Sequence, residues 1–183
     1  DFQVLQVVGI QTVTRNAGDA TVNGLEVEAM SDINDSLSVN YGLTLLDATY
    51  GEFLNTNGIQ PELGEQQLNG NYLTNAPKVS INLGLNYTTA MESGASLTYR
   101  ANAAYKSRIY FSEFNEYSQD AYTIVDLNLI WESADETMRS RFFIKNATDE
   151  DYISGYLSSA TGGGRFGQWG YPRTAGIEIQ RNF

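Results

Sequence analysis

Three stretches of this 183-residue chain hold residue types that could do chemistry. Glu26 and Glu28 stand two apart, so on a strand they share a face, where paired carboxylates can divide acid and base roles. Asp149-Glu-Asp151 resembles an oxygen-rich cation cluster, and Gly162-Gly-Gly-Arg-Phe-Gly167 the turn of a phosphate loop. Each has a plainer reading. Strand carboxylates commonly line a hydrated surface and pair with cations, here Arg100 or Lys106. Neighbouring acids in a bend seldom converge on one ion, so a solvated turn is expected. The glycine run lacks the Lys-Ser/Thr ending and the following helix that hold phosphates, and reads as a flexible loop. The sequence has no Cys and no His, which removes disulfides, thiolate metal sites, most zinc sites and His-based catalysis. No enzyme activity, metal or cofactor is expected. A formal net charge of −11 opposes nucleic-acid binding and reads as loop solubility.

The elements that position these residues are strands. The chain averages hydrophilic, and no apolar run reaches the ~18 residues of a membrane helix. A barrel strand escapes that test, because it spends alternate residues on lipid and crosses in about ten. Twelve Tyr, eight Phe and two Trp beside 17 Gly and three Pro suit an aromatic-girdled sheet with many turns. In Pro77–Tyr87, Val79, Ile81, Leu83, Leu85 and Tyr87 point one way while Lys78, Ser80, Asn82, Gly84 and Asn86 point the other. The next strand sets Leu97, Tyr99, Ala101, Ala103, Tyr105, Ile109 and Phe111 against Arg100, Lys106 and Arg108; three inward cations fit a polar lumen. Further strands are predicted over about 2–13, 20–31, 36–49, 121–131, 139–147 and 173–183, about eight in all. Two have open facings: adjacent apolar pairs blur 2–13, and Arg141-Phe-Phe-Ile-Lys145 reads in either register.

Links 31–35, 88–94 and 132–138 are short and polar, whereas 50–76, 112–120 and 155–172 are long. That alternation fits turns on the periplasmic side and loops outside. The short first link, 14–19, adds no support. Tyr87 and Trp131 fall at the turn end, and Tyr105, Ile109 and Phe111 near the loop end, as girdles would. Asp1-Phe-Gln-Val-Leu5 shows no signal peptide and starts as though inside or beside a strand. The final strand alternates Ala175, Ile177, Ile179 and Phe183 with Thr174, Glu178, Gln180 and Asn182; Arg181 is the one misfit.

Several motifs then resemble those of TonB-dependent outer-membrane receptors. Asn23-Gly-Leu-Glu-Val-Glu28 resembles the family's GxExE strand, Leu46-Asp-Ala-Thr-Tyr50 a strand-to-loop exit, and Asn75-Ala-Pro-Lys78 the start of the following strand. Lys145-Asn-Ala-Thr-Asp-Glu-Asp-Tyr152 resembles the penultimate-strand signature, and Pro172-Arg-Thr-Ala-Gly176 the final strand. Ala147 departs from the usual Leu, and Arg181 from a common aromatic.

The resemblance implies an antiparallel transmembrane β-barrel of which residues 1–183 are the C-terminal third, the whole having about 22 strands around a plug that this chain lacks. It implies active import, across a Gram-negative outer membrane, of a scarce small-molecule nutrient such as a siderophore, cobalamin or an oligosaccharide. The TonB–ExbB–ExbD complex would supply energy through the TonB box and plug, the barrel-assembly machinery would read the Phe183 strand, and lipid and lipopolysaccharide would surround the wall. Ligand contacts are expected from Arg108, Tyr110, Phe114 and Tyr117 in one loop and Arg165, Phe166, Trp169 and Tyr171 in another, because aromatic and Arg side chains dominate binding sites. Acids near the outer mouth (Asp47, Glu52, Glu62, Glu65, Glu113, Glu116) disfavour strongly anionic ligands. The alternatives are a self-contained eight-stranded anchor or adhesin, a lipocalin-like soluble binder, and a membrane hydrolase. The lipid-facing assignment predicts that spin labels at Leu83 and Asn82 report different solvents, hydrocarbon and water; identical accessibilities would refute it.

Overall fold

The computed structural model describes residues 2–8, 11–159 and 164–183. The chain opens on an antiparallel hairpin of β1 (Phe2–Val8) and β2 (Gln11–Ala17). Then come β3 (Ala20–Asn34), β4 (Leu37–Tyr50), β5 (Leu54–Thr56), β6 (Glu65–Gln67), β7 (Val79–Ala90) and β8 (Ser96–Lys106). Two short strands, β9 (Ile109–Tyr110) and β10 (Ser118–Gln119), precede β11 (Tyr122–Glu132) and β12 (Met138–Lys145). The hairpin β13 (Ile153–Ser159) and β14 (Gly164–Trp169) leads to β15 (Thr174–Arg181). One seven-stranded sheet, ordered β15-β12-β11-β8-β7-β4-β3 and antiparallel throughout, forms the wall.

The fold class is the expected one, with differences in detail. The strand predicted over 2–13 is instead a hairpin outside the wall: Phe2 pairs with Ala17 and Val8 with Gln11, so its residues pair locally. The wall sheet is open, with β3 and β15 at its edges, and does not form the closed eight-stranded ring of the anchor alternative. The strand predicted through Phe111 stops at Lys106. There Ser107 takes over the end of β7, its N–H donating to Val79 O and its Oγ accepting from Val79 N–H. Ile109 is buried and Phe111 stacks on Tyr156, so neither joins a girdle. Residues 162–163 of the glycine run lie outside the described residues.

Short turns lie at one end of the wall. Asn34 Oδ1 accepts from the N–H groups of Ser36 and Leu37 at 2.9 and 3.0 Å, closing the first. In the third, Asp135 Oδ1 accepts from Ser133 Oγ and from both Thr137 donors, which hold its carboxyl below the usual range. At the opposite end the long links fold back as hairpins β5–β6, β9–β10 and β13–β14.

Register turns alternation into two continuous faces. One row reads Val39, Leu85, Ala101, Leu127, Ile144, Ala175 across six strands; the next reads Leu37, Tyr87, Tyr99, Leu129, Phe142, Ile177. The interleaved rows are polar: Asn40, Gly84, Asn102, Asp126, and Ser38, Asn86, Arg100, Asn128. Ile81, Leu83, Leu85 and Tyr87 are all exposed, each more than a third open, so no protein layer from the described residues covers the apolar face. This is the reverse of a water-soluble sheet, which packs its apolar face. Polar Glu26 and Glu28 share the other face, but the ion pairs among the described residues do not join them to Arg100 or Lys106.

The ambiguous segment 141–145 is settled by pairing. Phe142 and Ile144 fall in the apolar rows, while Phe143 lies opposite Gly176 on the polar face. Its ring covers Gly176, where a Cβ would stand 2.5 Å from Cζ, and the Arg141 guanidinium lies 5.1 Å from the ring centroid. Close approach therefore explains the glycine that ends the Pro172-Arg-Thr-Ala-Gly176 motif. Arg141 also pairs with Glu178 at 2.8 Å. Arg181 sits at the turn end of the apolar rows with its guanidinium 5.2 Å from the Phe183 ring, where a long stem can bring the charge to the interface.

Leu83→Arg places a charge at mid-strand on the apolar face and is expected to lower stability in a bilayer by about 2–4 kcal/mol. Asn82→Arg, on the polar face, is expected to change it by less than about 1 kcal/mol. Reversible unfolding from lipid vesicles measures both, and equal effects would reverse the facing.

Candidate functional site

The residues with binding chemistry collect in the loop layer beyond the wall, and that layer holds the apolar core found among the described residues. Tyr50, Phe53 and Leu68 are buried together, with Leu73 and Phe114 packed on them. Loop 107–121 is tied to loop 51–78 by side chains far apart in sequence. Asn55 Nδ2 donates to Glu113 Oε1 at 3.0 Å, Asn57 Nδ2 donates to Glu116, and Asn71 Nδ2 donates to Glu113 O at 2.8 Å. Tyr72 N–H donates to Asn115 Oδ1 at 2.7 Å while Asn115 Nδ2 returns a bond to Tyr72 O at 2.9 Å. Asn115 has φ 55°, a left-handed conformation that Asn tolerates better than most residues.

Two of the residues expected to contact ligand pack in this seam. Tyr110 stacks on Tyr72 with centroids 5.7 Å apart, and its carbonyl accepts from Asn75 N–H. Phe114 fills the loop core. Arg108 forms a two-pronged bond to Asp120 Oδ1, at 3.0 Å through Nε and 2.8 Å through Nη2. Both partners are exposed, so solvent screens the pair, and Arg108 also bonds to Tyr110.

Tyr117 and Arg165 come together. The Arg165 guanidinium lies 4.2 Å from the Tyr117 ring centroid, and Tyr117 stacks on Tyr156 at 5.4 Å. Tyr156 in turn stacks on Phe111 at 5.7 Å, making a column of three rings capped by a cation. Glu116 holds the far side of Arg165 at 3.6 Å, a loose contact that another anion can replace. Burial raises the Tyr156 phenol above its usual range, with Arg165 opposing the shift. Phe166, Trp169 and Tyr171 are exposed and are not among these stacked rings. Leu157 and Phe166 are direct cross-strand partners on the open face of the β13–β14 hairpin.

Tyr156 was not singled out from sequence, because 155–172 reads as a loop; the available signal was a glycine run flanked by short alternating segments, a hairpin pattern. The acids of the outer mouth divide. Asp47, Glu52, Glu62 and Glu65 are exposed, whereas Glu113 and Glu116 are engaged by Asn55, Asn57 and Arg165. Burial pushes the Glu113 carboxyl above the ordinary glutamate range; Asn55 opposes the shift and Glu116 adds to it. No group of acids able to hold a metal occurs among the described residues, and Asp149 is bonded to Arg173.

That last pair belongs to a junction between the two terminal motifs. Buried Asn146 receives Glu150 N–H on Oδ1 at 2.9 Å, donates through Nδ2 to the carbonyls of Glu150 and Tyr171, and donates its N–H to Asp126. Its φ is 48°. Asn146→Ala is expected to cost about 1–3 kcal/mol in lost buried hydrogen bonds and a further ~1 kcal/mol in left-handed backbone. Asn146→Gly should recover only the smaller part. Urea midpoints of the two variants measure the split; equal losses would refute it.

The family model for the TonB dependent receptor-like β-barrel matches residues 1–147. Among solved structures, the ferric yersiniabactin uptake receptor FyuA from Yersinia pestis aligns with a TM-score of 0.78 at 20% identity, over 93% of this chain and 25% of the receptor. The siderophore receptor PiuA from Acinetobacter baumannii aligns at 0.73 and 21% identity, over 97% of this chain and 23% of its own. The ferric preacinetobactin receptor BauA from the same organism aligns at 0.71 and 18%, over 97% and 25%. These likenesses establish the fold, and the chain spans about a quarter of the length of the receptors it matches. With a two-faced open wall, a loop layer at one end and a family model over most of its length, this chain belongs to the TonB-dependent receptor β-barrel family.

Proposed function

We propose that residues 1–183 form the C-terminal part of the barrel wall and outer loop layer of a TonB-dependent importer in a Gram-negative outer membrane. The observation that carries this is the register: every long link leaves one end of a wall whose apolar rows face outward and polar rows inward. Such a wall suits lipid outside and a hydrated lumen within. In this reading a plug contributed from outside these residues engages TonB–ExbB–ExbD, the Phe183 strand serves barrel assembly, and the apolar rows meet lipid and lipopolysaccharide. Transport proceeds without covalent chemistry. The ligand is a ferric siderophore, a class supported by the three fold relatives, all of them siderophore receptors.

Tyr117 and Arg165 are the principal ligand contacts, with Tyr156 completing the platform. A planar group stacks on the exposed part of the column, and an acidic group of the chelate competes with Glu116 for Arg165. Arg108, Phe166, Trp169 and Tyr171 are accessible for secondary contacts. Tyr110 and Phe114 act indirectly by holding the loops.

The test is uptake of a panel of radio-iron siderophore complexes, cobalamin and oligosaccharides by cells carrying the full-length protein, with and without TonB. The expected result is TonB-dependent accumulation of a ferric siderophore, and Arg165→Ala or Tyr117→Ala weakening its binding roughly tenfold. Uptake independent of TonB would overturn the importer reading. Unchanged binding in both variants would overturn the platform.

A further inference from the structure

We propose that Glu113 is a proton-operated latch between loops 107–121 and 51–78, tightening the loop layer on acidification and loosening it near neutrality. Glu113 sits in the seam itself. Its Oε1 accepts from Asn55, which is only 3% exposed, its carbonyl accepts from Asn71, and the next residue, Phe114, is packed on the loop core. The groups that face it are few. Glu116 approaches from its own loop and Tyr50 from β4, and neither carries a positive charge. Glu52, Glu62 and Glu65 of the opposing loop are exposed acids. Arg165 from β14 is engaged by Glu116, and the ion pairs among the described residues include none to Glu113.

An ionised Glu113 is thus a half-buried charge beside a second carboxylate, supported by neutral amides alone. Protonation removes that repulsion and the desolvation cost, while the carboxyl keeps an oxygen for Asn55. The sign follows. A carboxyl whose pKa is raised in the closed loops favours them most below the ordinary glutamate value of about 4.3, and that contribution is lost as pH rises through the raised value. Opening moves Glu116 with its loop, and with it the clamp on Arg165 over Tyr117. The consequence for ligand capture rests on the platform reading above; the closure itself does not.

Hydrogen exchange of the full-length protein in nanodiscs, without ligand, tests the latch. After correction for intrinsic exchange, segments 53–57 and 111–117 should exchange more slowly at about pH 4.5 than at about pH 7.5, by up to roughly tenfold for each unit of pKa shift. Glu113→Gln should be protected at both values. Equal pH dependence in this variant and the natural protein, or none in the natural protein, would overturn the latch. If the variant does not assemble, the natural protein's profile decides: a midpoint above the ordinary glutamate range supports the latch, and one within that range overturns it. Because no ligand is present, failure here leaves the import reading standing, and failed uptake leaves the latch standing.

Discussion

A slip of one residue in any ladder of the wall would exchange its two faces, sending Leu83 and Leu85 inward and Asn82 and Asn86 outward. Everything else depends on that register. Because the sheet has no packed layer on its apolar rows, the strands are held by their hydrogen bonds and by cross-strand neighbours such as Tyr87 and Tyr99, whose centroids are 6.2 Å apart. In hydrocarbon, unpaired backbone groups are costly, so a continuous ladder is the condition for crossing at all.

The register in turn decides where the chain can afford irregularity. Backbone outside the ladders appears at the two ends, where water can serve it. At the turn end, small side-chain networks around Asn34 and Asp135 suffice. At the other end the links are long enough to fold on each other, and they use asparagine heavily. Asn55, Asn57 and Asn146 are buried, and each satisfies carbonyls, carboxylates or amides from distant segments. The proposed ligand platform of Tyr117, Tyr156 and Arg165 also lies in this loop layer, not on the wall.

Much of the wall was legible in sequence because alternation is local. Strand β7 shows it without interruption and the middle of β11, Val125 to Leu129, shows it too, so their facing followed directly. Segment 141–145 did not declare itself, since Phe142 and Phe143 are both apolar; the deciding facts are the Cα partners Ile177 and Gly176 on β15, more than thirty residues away in sequence. The end of β8 failed similarly. Ile109 and Phe111 continue the alternation, but Ser107 closes the ladder and the loop claims both side chains. The site was legible by composition alone. Which aromatics build the seam and which remain open depends on contacts such as Asn55 to Glu113, with no pattern nearby in sequence to announce them.

The Tyr50–Phe53–Leu68 core has a consequence of its own. It lies in the loop layer, so its cohesion comes from excluding water, whereas the wall, set in a bilayer as proposed, is held by lipid and ladder. Apolar burial from water weakens on cooling and responds to excluded osmolytes, while contacts with hydrocarbon need not follow. The molecule thus joins two materials with different responses to temperature and solutes, meeting at the ends of β4, β8 and β12.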